Sequence, residues 1–323
     1  MEIMPRVMIF GKSQRLTRKV LQIARAFKDR GNETLWLNPN TINRWIGPKT
    51  EKYILKRIEK FNPDIIFIHS MDLPLPILEK ISGTRIKTVQ YYHDTIYGDR
   101  YTELLPKVAQ WGRQVDLFLI NAKGLHNHLK SLGIDNPIFI VEGCDIYDHK
   151  KRHPLLPLWK SDVAFIGAAR PDEPRIPLIK KLNEICDLKV YGTNWEQFGI
   201  KPATKKVNPR EYGLICGGAK IMLGIDAVTN VEGHWTNRLW LTLGCGGFHL
   251  ANYIQGMEEF FVDREHLVLY RNEDECIDLV KKYLVKSEAR ERIAEQGYRL
   301  VHEHYTFHHF VDKVLALSNT IRK

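Results

Sequence analysis

The amino-acid sequence predicts an α/β protein built from two doubly wound parallel-sheet domains that face a cleft. Three observations predict it. Short apolar runs alternate with helix-period segments, the pattern of βαβ units. That alternation stops at a Pro-rich stretch and then begins again. The length, 323 residues, exceeds what one hydrophobic core usually organises.

In the first half the strands are expected at Arg6–Phe10, Thr34–Leu37, Asp64–His69, Lys87–Tyr92, Leu117–Asn121 and Ile138–Val141. Their Val, Ile, Leu and Phe runs suit a sheet covered on both faces. The first ends at Gly11-Lys12-Ser13 and leads into a basic amphipathic helix, Leu16–Arg30, with Val20, Ile23 and Phe27 on one face. Helices are expected at Lys52–Phe61, closed by Asn62-Pro63, and at Leu75–Ile81. The fourth strand ends at His93-Asp94. The Pro-rich His153–Trp159 is expected to be a linker. Beyond it, strands are expected at Asp162–Gly167, Leu188–Tyr191, Ala219–Ile225, Gly247–Ala251 and His266–Tyr270. The helices of this half are Ile176–Ile185, Thr236–Leu243, Glu273–Val285, Ser287–His304 and about Thr306–Arg322. The expected domains are therefore 1–155 and 160–305, with residues 306–323 as a closing helix.

Composition narrows the classes. Hydrophobic residues make up 44% and charged residues 27%, ordinary for a globular protein. No run reaches the ~18 apolar residues of a membrane span, and the N-terminus enters a strand without a signal-peptide core. Five scattered cysteines (Cys144, Cys186, Cys216, Cys245 and Cys276) form no C-x-x-C pair. They read as reduced thiols of a cytoplasmic protein. The net charge is +10, and residues 1–155 hold 25 of the 48 Lys and Arg but 16 of the 38 Asp and Glu. Nine of the ten excess positive charges thus lie in the first half, which points to an anionic partner there or to a well-solvated surface.

Ligands of open parallel sheets bind beyond the carboxyl ends of the strands, so chemistry-bearing residues are sought there. Asn237-Arg238, at a helix start, suits an anion, and Gly244, Gly246 and Gly247 close the same segment. Gly167 begins a loop that carries Arg170 and Arg175, whose guanidinium forks suit phosphate oxygens. Tyr191-Gly192 follows another strand, where a glycine would let a flat base come close. In the first half His93 has the chemistry of a proton acceptor or relay, with Asp94 to orient it or to act as the base. Gly11, Lys12 and Ser13 form a second cleft-facing loop, too short for a phosphate-binding P-loop. His304 and His308, four apart, would make at most an incomplete metal pair.

Taken together, Phe165-Ile166-Gly167, Val190-Tyr191-Gly192, Asn237 to Phe248 with its Cys-Gly-Gly-Phe, Gly256–Phe261 and the tail Gly297-Tyr298 to Thr306 resemble the GT-B glycosyltransferases of the group-1 type, most closely their spore-maturation-protein-like branch. The resemblance covers roughly residues 160–315. It implies the GT-B fold, with two Rossmann-like domains, a nucleotide-sugar donor on the second, an acceptor mainly on the first, and a final helix packed back on the first. It implies that Arg170 and Arg175, spaced like the family-four Arg and Lys, hold the donor diphosphate and stabilise it as it leaves. No metal or other cofactor is then expected, only the nucleotide diphosphate sugar as co-substrate, and the chain has no Asp-x-Asp motif. One departure is visible. Leu241 occupies the position of the family's ribose-binding glutamate, and Glu232 is one residue out of register for the earlier glutamate. Thr236, Asn237 or Glu258 would then take over the ribose.

The expected activity is a metal-independent, retaining, hexosyl-type transfer from a nucleotide diphosphate sugar to a hydroxyl. The acceptor would be a glycan, a lipid-linked molecule or another anionic molecule. A peripheral contact with the inner membrane face, through the basic N-terminal domain, is a further expectation. The alternatives are a sugar-nucleotide epimerase or hydrolase on the same frame and a non-catalytic binder of nucleotide sugars or nucleic acid. Nucleic acid ranks last, because aromatic and basic residues do not interleave in any regular register.

Overall fold

The computed structural model describes residues 4–13, 19–94, 104–170 and 175–322. The expected helix residues 16–18 and the loop residues 171–174 lie outside the described residues. Two compact units emerge: Met1–Val141 with Phe307–Lys323, and Glu142–Thr306.

The first unit is a six-stranded sheet of β1 (Val7–Phe10), β2 (Thr34–Leu37), β3 (Ile65–His69), β4 (Lys87–Tyr92), β5 (Leu117–Ile120) and β6 (Pro137–Phe139). The order is β2-β1-β3-β4-β5-β6 and every pairing is parallel. Alternate residues feed opposite cores, as strand geometry requires. Val7, Ile9, Phe67 and Tyr91 pack with α1 (Lys19–Asp29) and with the C-terminal helix Phe307–Asn319. Met8, Phe10, Ile66 and Ile68 pack on the other face, with α3 (Thr50–Phe61) and α4 (Leu75–Ile81). The C-terminal helix inserts Phe310 edge-on to Phe67 and Tyr91. Arg30 clamps Asp312 through two hydrogen bonds of 2.6 Å, and His308 contacts Asp29 at 2.9 Å. His308 is therefore committed within this unit. His304 ends the preceding helix, so the two histidines do not share a helix face as a metal pair would.

The second unit holds β7 (Ser161–Ile166), β8 (Leu188–Tyr191), β9 (Ala219–Gly224), β10 (His249–Asn252) and β11 (Val268–Tyr270). They are parallel in the order β11-β10-β9-β7-β8. Val163, Phe165 and Leu223 pack against α7 (Arg175–Ile185) and α10 (Glu273–Leu284). Ala164, Tyr191 and Met222 pack against α8 (Pro209–Gly218) and α9 (Arg238–Gly244). The long helix α11 (Ser287–His304) completes the unit.

Among the described residues, four helices were not expected from the sequence: α2 (Pro39–Ile46), α5 (Leu104–Gly112), α6 (His126–Ser131) and α8. All are short or contain proline or glycine, which dilutes the 3.6-residue pattern. The domain boundary also differs. The stretch His153–Trp159 is no free linker. It belongs to the second unit, which begins at Glu142. The reason is the glycine content of α8: a Cβ on Gly217 would lie 1.7 Å from the Arg152 carbonyl oxygen, and one on Gly218 2.2 Å from that of Trp159. Bare backbone lets the strand of chain lie directly on the helix.

No helix among the described residues is long and apolar enough to cross a membrane. His249, at the start of β10, is buried with its Nδ1 3.1 Å from the Met222 carbonyl oxygen. Burial lowers its pKa from an ordinary 6.5 to about 4. Since the unfolded chain takes the proton first, His249 contributes stability above pH 6.5 that is lost as the pH falls toward 4. Replacing His249 with Gln should therefore reduce the extra destabilisation seen between about pH 7 and about pH 4.5 by on the order of 2 kcal/mol. Urea-unfolding midpoints at the two pH values measure it.

Candidate functional site

In the second unit, the β7–β9 boundary is where the strand order reverses, and parallel sheets of this kind place their ligand crevice there. Arg238 occupies it. Its Nη2 donates to the Ile225 carbonyl oxygen at 2.7 Å and to Asp226 Oδ1 at 3.2 Å. Its guanidinium lies 5.3 Å from the centre of the Phe165 ring. Gly167 makes room for it, since a Cβ there would come within 3.1 Å of Arg238 Nη1. Asp226 is buried and is fixed in turn, accepting from the Thr236 backbone N–H at 3.2 Å while its own N–H donates to Asn252 Oδ1 at 2.7 Å. Three polar atoms here are buried without a hydrogen-bond partner: Arg238 Nε, Asn237 Oδ1 and Asn252 Nδ2. Such orphans are uncommon in folded proteins and mark places where a ligand or water completes the bonding.

Arg175 lies against the same ring, while Arg170 is exposed and borders residues outside the described set. The Arg175 side chain is buried, donates from Nη1 to the Ala168 carbonyl oxygen at 2.8 Å, and lies 5.7 Å from the Phe165 ring centre. Arg175 and Arg238 both lie over the Phe165 ring. Thr236 and Asn237 lie beside Arg238 in sequence and Glu232 precedes it on the same loop, half-buried.

Several glycines serve packing. Gly192 has φ +146°, and a Cβ on it would fall 2.2 Å from the Gly167 carbonyl oxygen. Its close approach is to the chain leaving β7, where Gly167 N–H donates to the Tyr191 carbonyl oxygen at 2.8 Å and Trp195 Nε1 to the Gly167 carbonyl oxygen at 2.8 Å. Tyr191 itself is 1% exposed among Tyr212, Cys216 and Met222, so its ring belongs to the core. Burial also raises its pKa to about 12. Gly246 and Gly247 lie past the C-terminal end of α9, roughly 10 Å along the helix from Arg238, and lead into the start of β10. That is the sheet edge opposite the crevice. There Gly246, at φ +72°, packs on the Lys151 side chain, and Gly247 on Met222 and Thr242. Leu241 is half-buried against the same core as Tyr191 and Tyr212.

In the first unit a cavity of about 620 Å³ opens at the carboxyl ends of β3 and β4, lined by Lys12, His69, Ser70, Asp72, His93 and Lys107 among others. The size suits a small-molecule ligand. Ser70 adopts φ +54°, a left-handed conformation that a serine takes up at a cost. That bend brings its Oγ 3.5 Å from His93 Nδ1. The His93 ring lies 4.4 Å from the ring of His69, and its Nε2 is 3.6 Å from Asp94 Oδ1. Asp94 is largely exposed. Asp72 is the buried acid of the group, accepting from the Lys12 backbone N–H at 2.8 Å and paired with Lys12 Nζ at 3.2 Å. Burial alone would raise the pKa of Asp72; the hydrogen bonds from His69 and Lys12, with the Lys12 charge, outweigh it and hold it below the usual value. His69 is 8% exposed and its Nε2 has no hydrogen-bond partner. Of the glycine loop, Lys12 reaches the cavity, whereas Gly11 accommodates Val20 and His69, and its carbonyl oxygen accepts from Trp36 Nε1 at 3.0 Å. Ser13 is half-buried nearby in sequence.

Ser70, His69, Asp72, Asp226 and Asn252 escaped the sequence analysis. A usable signal existed for His69, which ends an apolar strand as His93 follows one.

Each unit also matches a known family. Residues 24–143 match the model described as Glycosyltransferase Family 4. Residues 175–316 match the one described as Glycosyl transferase-like. Solved structures with this fold include sucrose-phosphate synthase from Thermosynechococcus elongatus (8% identity, TM-score 0.70, 98% of each chain covered). Anabaena HepE in complex with UDP and glucose aligns at 11% identity and TM-score 0.70, over 98% of this chain and 100% of that one. An alpha-glucosyltransferase in complex with UDP and a 13-mer DNA aligns at 12% identity and TM-score 0.67, over 98% and 100%. No curated protein matches the chain. The chain has the GT-B fold, and each of its two units carries a glycosyltransferase-type match.

The two kinds of glycine role differ in cost. Gly192→Ala should destabilise by about 3 kcal/mol or more, because backbone cannot yield to the new Cβ. Gly246→Ala meets only a flexible lysine and should cost about 1 kcal/mol, mostly from its positive φ. Thermal melts of the two variants compare them.

Proposed function

We propose that this protein is a glycosyltransferase of the GT-B class, in its spore-maturation-protein-like branch. It moves a sugar from a nucleotide diphosphate sugar to an acceptor hydroxyl, retaining configuration and using no metal. The observation that carries this reading is the pair of guanidinium groups, Arg175 and Arg238, gathered over Phe165 at the strand reversal of the second unit. Fixed cations there would bind the donor diphosphate and stabilise it as the sugar bond breaks and its charge grows. The structural neighbours solved with UDP or UDP-glucose are consistent with such a donor.

The ribose is assigned to Asn237, whose buried Oδ1 is open to a hydroxyl, because Leu241 supplies no carboxylate. Glu258 is a weaker choice, being engaged with Tyr253 and the Gly256 N–H at 3.1 Å each. On the acceptor side, His93 takes the role of proton acceptor or relay. Ser70 and His69 orient its ring, and Asp72 holds Lys12 at the mouth of the cavity. Lys12 and Lys107 favour an anionic acceptor, a lipid-linked molecule or a glycan. The basic first unit would also meet an anionic membrane surface, where Trp45 stands 83% exposed between Arg44 and Lys49. Five free thiols, four of them buried, fit a cytoplasmic setting. The missing glutamate favours a second reading, a non-catalytic nucleotide-sugar binder.

Thermal shift with UDP-, GDP- and dTDP-sugars should reveal stabilisation by at least one of them and by its bare nucleoside diphosphate. No shift with any would remove the donor site. Arg238→Ala should weaken nucleotide binding by about 1–3 kcal/mol, the scale of a charge-assisted hydrogen bond, with calorimetry as the readout. His93→Ala should lower kcat by roughly 10²–10⁴ while leaving the nucleotide shift unchanged. An unaltered rate would remove His93 from the mechanism, and a wild-type protein that binds nucleotide without transfer to any acceptor would favour the binder.

A further inference from the structure

The segment from His149 to Ser161 contains no acidic residue and carries Lys150, Lys151, Arg152 and Lys160 around the sequence Pro154-Leu155-Leu156-Pro157-Leu158. Its three leucines are 92%, 57% and 52% exposed. Three leucines in solvent side by side are unusual on a soluble surface and mark a site of contact.

The segment is also held in place. Three glycines of α8 receive it: a Cβ on Gly213 would meet the Arg152 side chain at 2.9 Å, while Gly217 and Gly218 touch backbone as described above. Lys151 pairs with Glu295. From the sheet side, Lys189 Nζ donates to the carbonyl oxygens of Leu158 at 3.0 Å and Lys160 at 2.6 Å. The turn closes on itself, Trp159 N–H donating to the Leu156 carbonyl oxygen at 3.3 Å and Lys160 N–H to that of Pro157 at 2.9 Å. Pro154 and Pro157 have no N–H at all.

These details select the partner. Entry into a hydrocarbon-rich layer is opposed mainly by backbone polar groups that lose water without gaining a bond. Here several of those groups are already bonded or missing, so the leucines can leave water at little polar cost. The flanking Lys150 and Lys160, with no carboxylate in the segment itself, match an anionic headgroup layer. We propose that residues 153–160 form a rigid, leucine-tipped anchor that inserts shallowly into an anionic lipid surface. This contact is separate from the one assigned to the first unit and does not depend on the transferase reading.

The test is sedimentation of the full chain with phosphatidylcholine vesicles, with and without phosphatidylglycerol, at low and high salt. Wild type should bind the anionic vesicles and keep part of that binding at high salt, because apolar insertion is not screened. The triple variant Leu155→Ser, Leu156→Ser, Leu158→Ser should lose the salt-resistant part, roughly tenfold or more, with an unchanged melting temperature. Leu155→Trp should bind more tightly than wild type. The series is repeated in a Trp45→Ala background, so that the share of the first unit is read separately. The proposal is overturned if wild type ignores anionic vesicles, or if the triple variant keeps its salt-resistant binding. It is overturned equally if the leucines prove to hold two copies of the chain together in sedimentation velocity without lipid.

Discussion

The Arg238–Asp226 ion pair governs the second unit's ligand end. Both groups are largely withdrawn from water, and a buried charge without its partner is costly. Each therefore recruits fixed partners: Asn252 on the Asp226 N–H, Thr236 on its carboxylate, and the Ile225 carbonyl oxygen on the guanidinium. The pair ties the exits of β9 and β10 to the start of α9 and leaves one edge of the guanidinium directed at Gly167. A cation held in this way needs little reorganisation when negative charge develops beside it, which is the physical basis of electrostatic catalysis. Gly167 and Gly192 follow from the same demand, since the exits of β7 and β8 must run close together to leave the guanidinium its place.

The first unit meets a different constraint with similar means. Its histidines lie at adjacent strand exits, and the parallel register of β3 and β4, which pairs His69 with Tyr91, sets the offset that brings the His69 and His93 rings into tilted contact. The left-handed Ser70 then supplies a hydroxyl that ordinary strand geometry would direct elsewhere. Local strain of this kind persists where the surrounding structure holds it, often beside functional groups.

Much of this was legible in the sequence, for physical reasons that differ by element. All eleven strands were visible, because a strand buried on both faces must be apolar throughout and the turns between must not be. α8 was missed because three glycines in ten residues erase its propensity. Its start was nonetheless written in Asn208-Pro209-Arg210-Glu211, which forms a capping box with proline in the first turn. At the candidate site, the rule that ligands lie beyond strand ends pointed to Lys12, His93, Gly167 and Arg238. It could not find Asp72, Asp226 or Asn252, whose roles depend on which neighbour the fold delivers to them. Glycine was the least legible residue. Gly192 and Gly246 look alike in sequence, yet one admits backbone and the other a lysine side chain.

The helix Phe307–Asn319 has a consequence for how the molecule is made. It fills the core formed by Phe27, Phe67 and Tyr91, yet 165 residues of the other unit separate it from the rest of its own. On the ribosome, where domains tend to fold as they emerge, the second unit is fully synthesised while the first still lacks the side chains of Phe307 and Phe310. The earlier-made half is thus the later one to close, and its apolar face stays open through the synthesis of everything between.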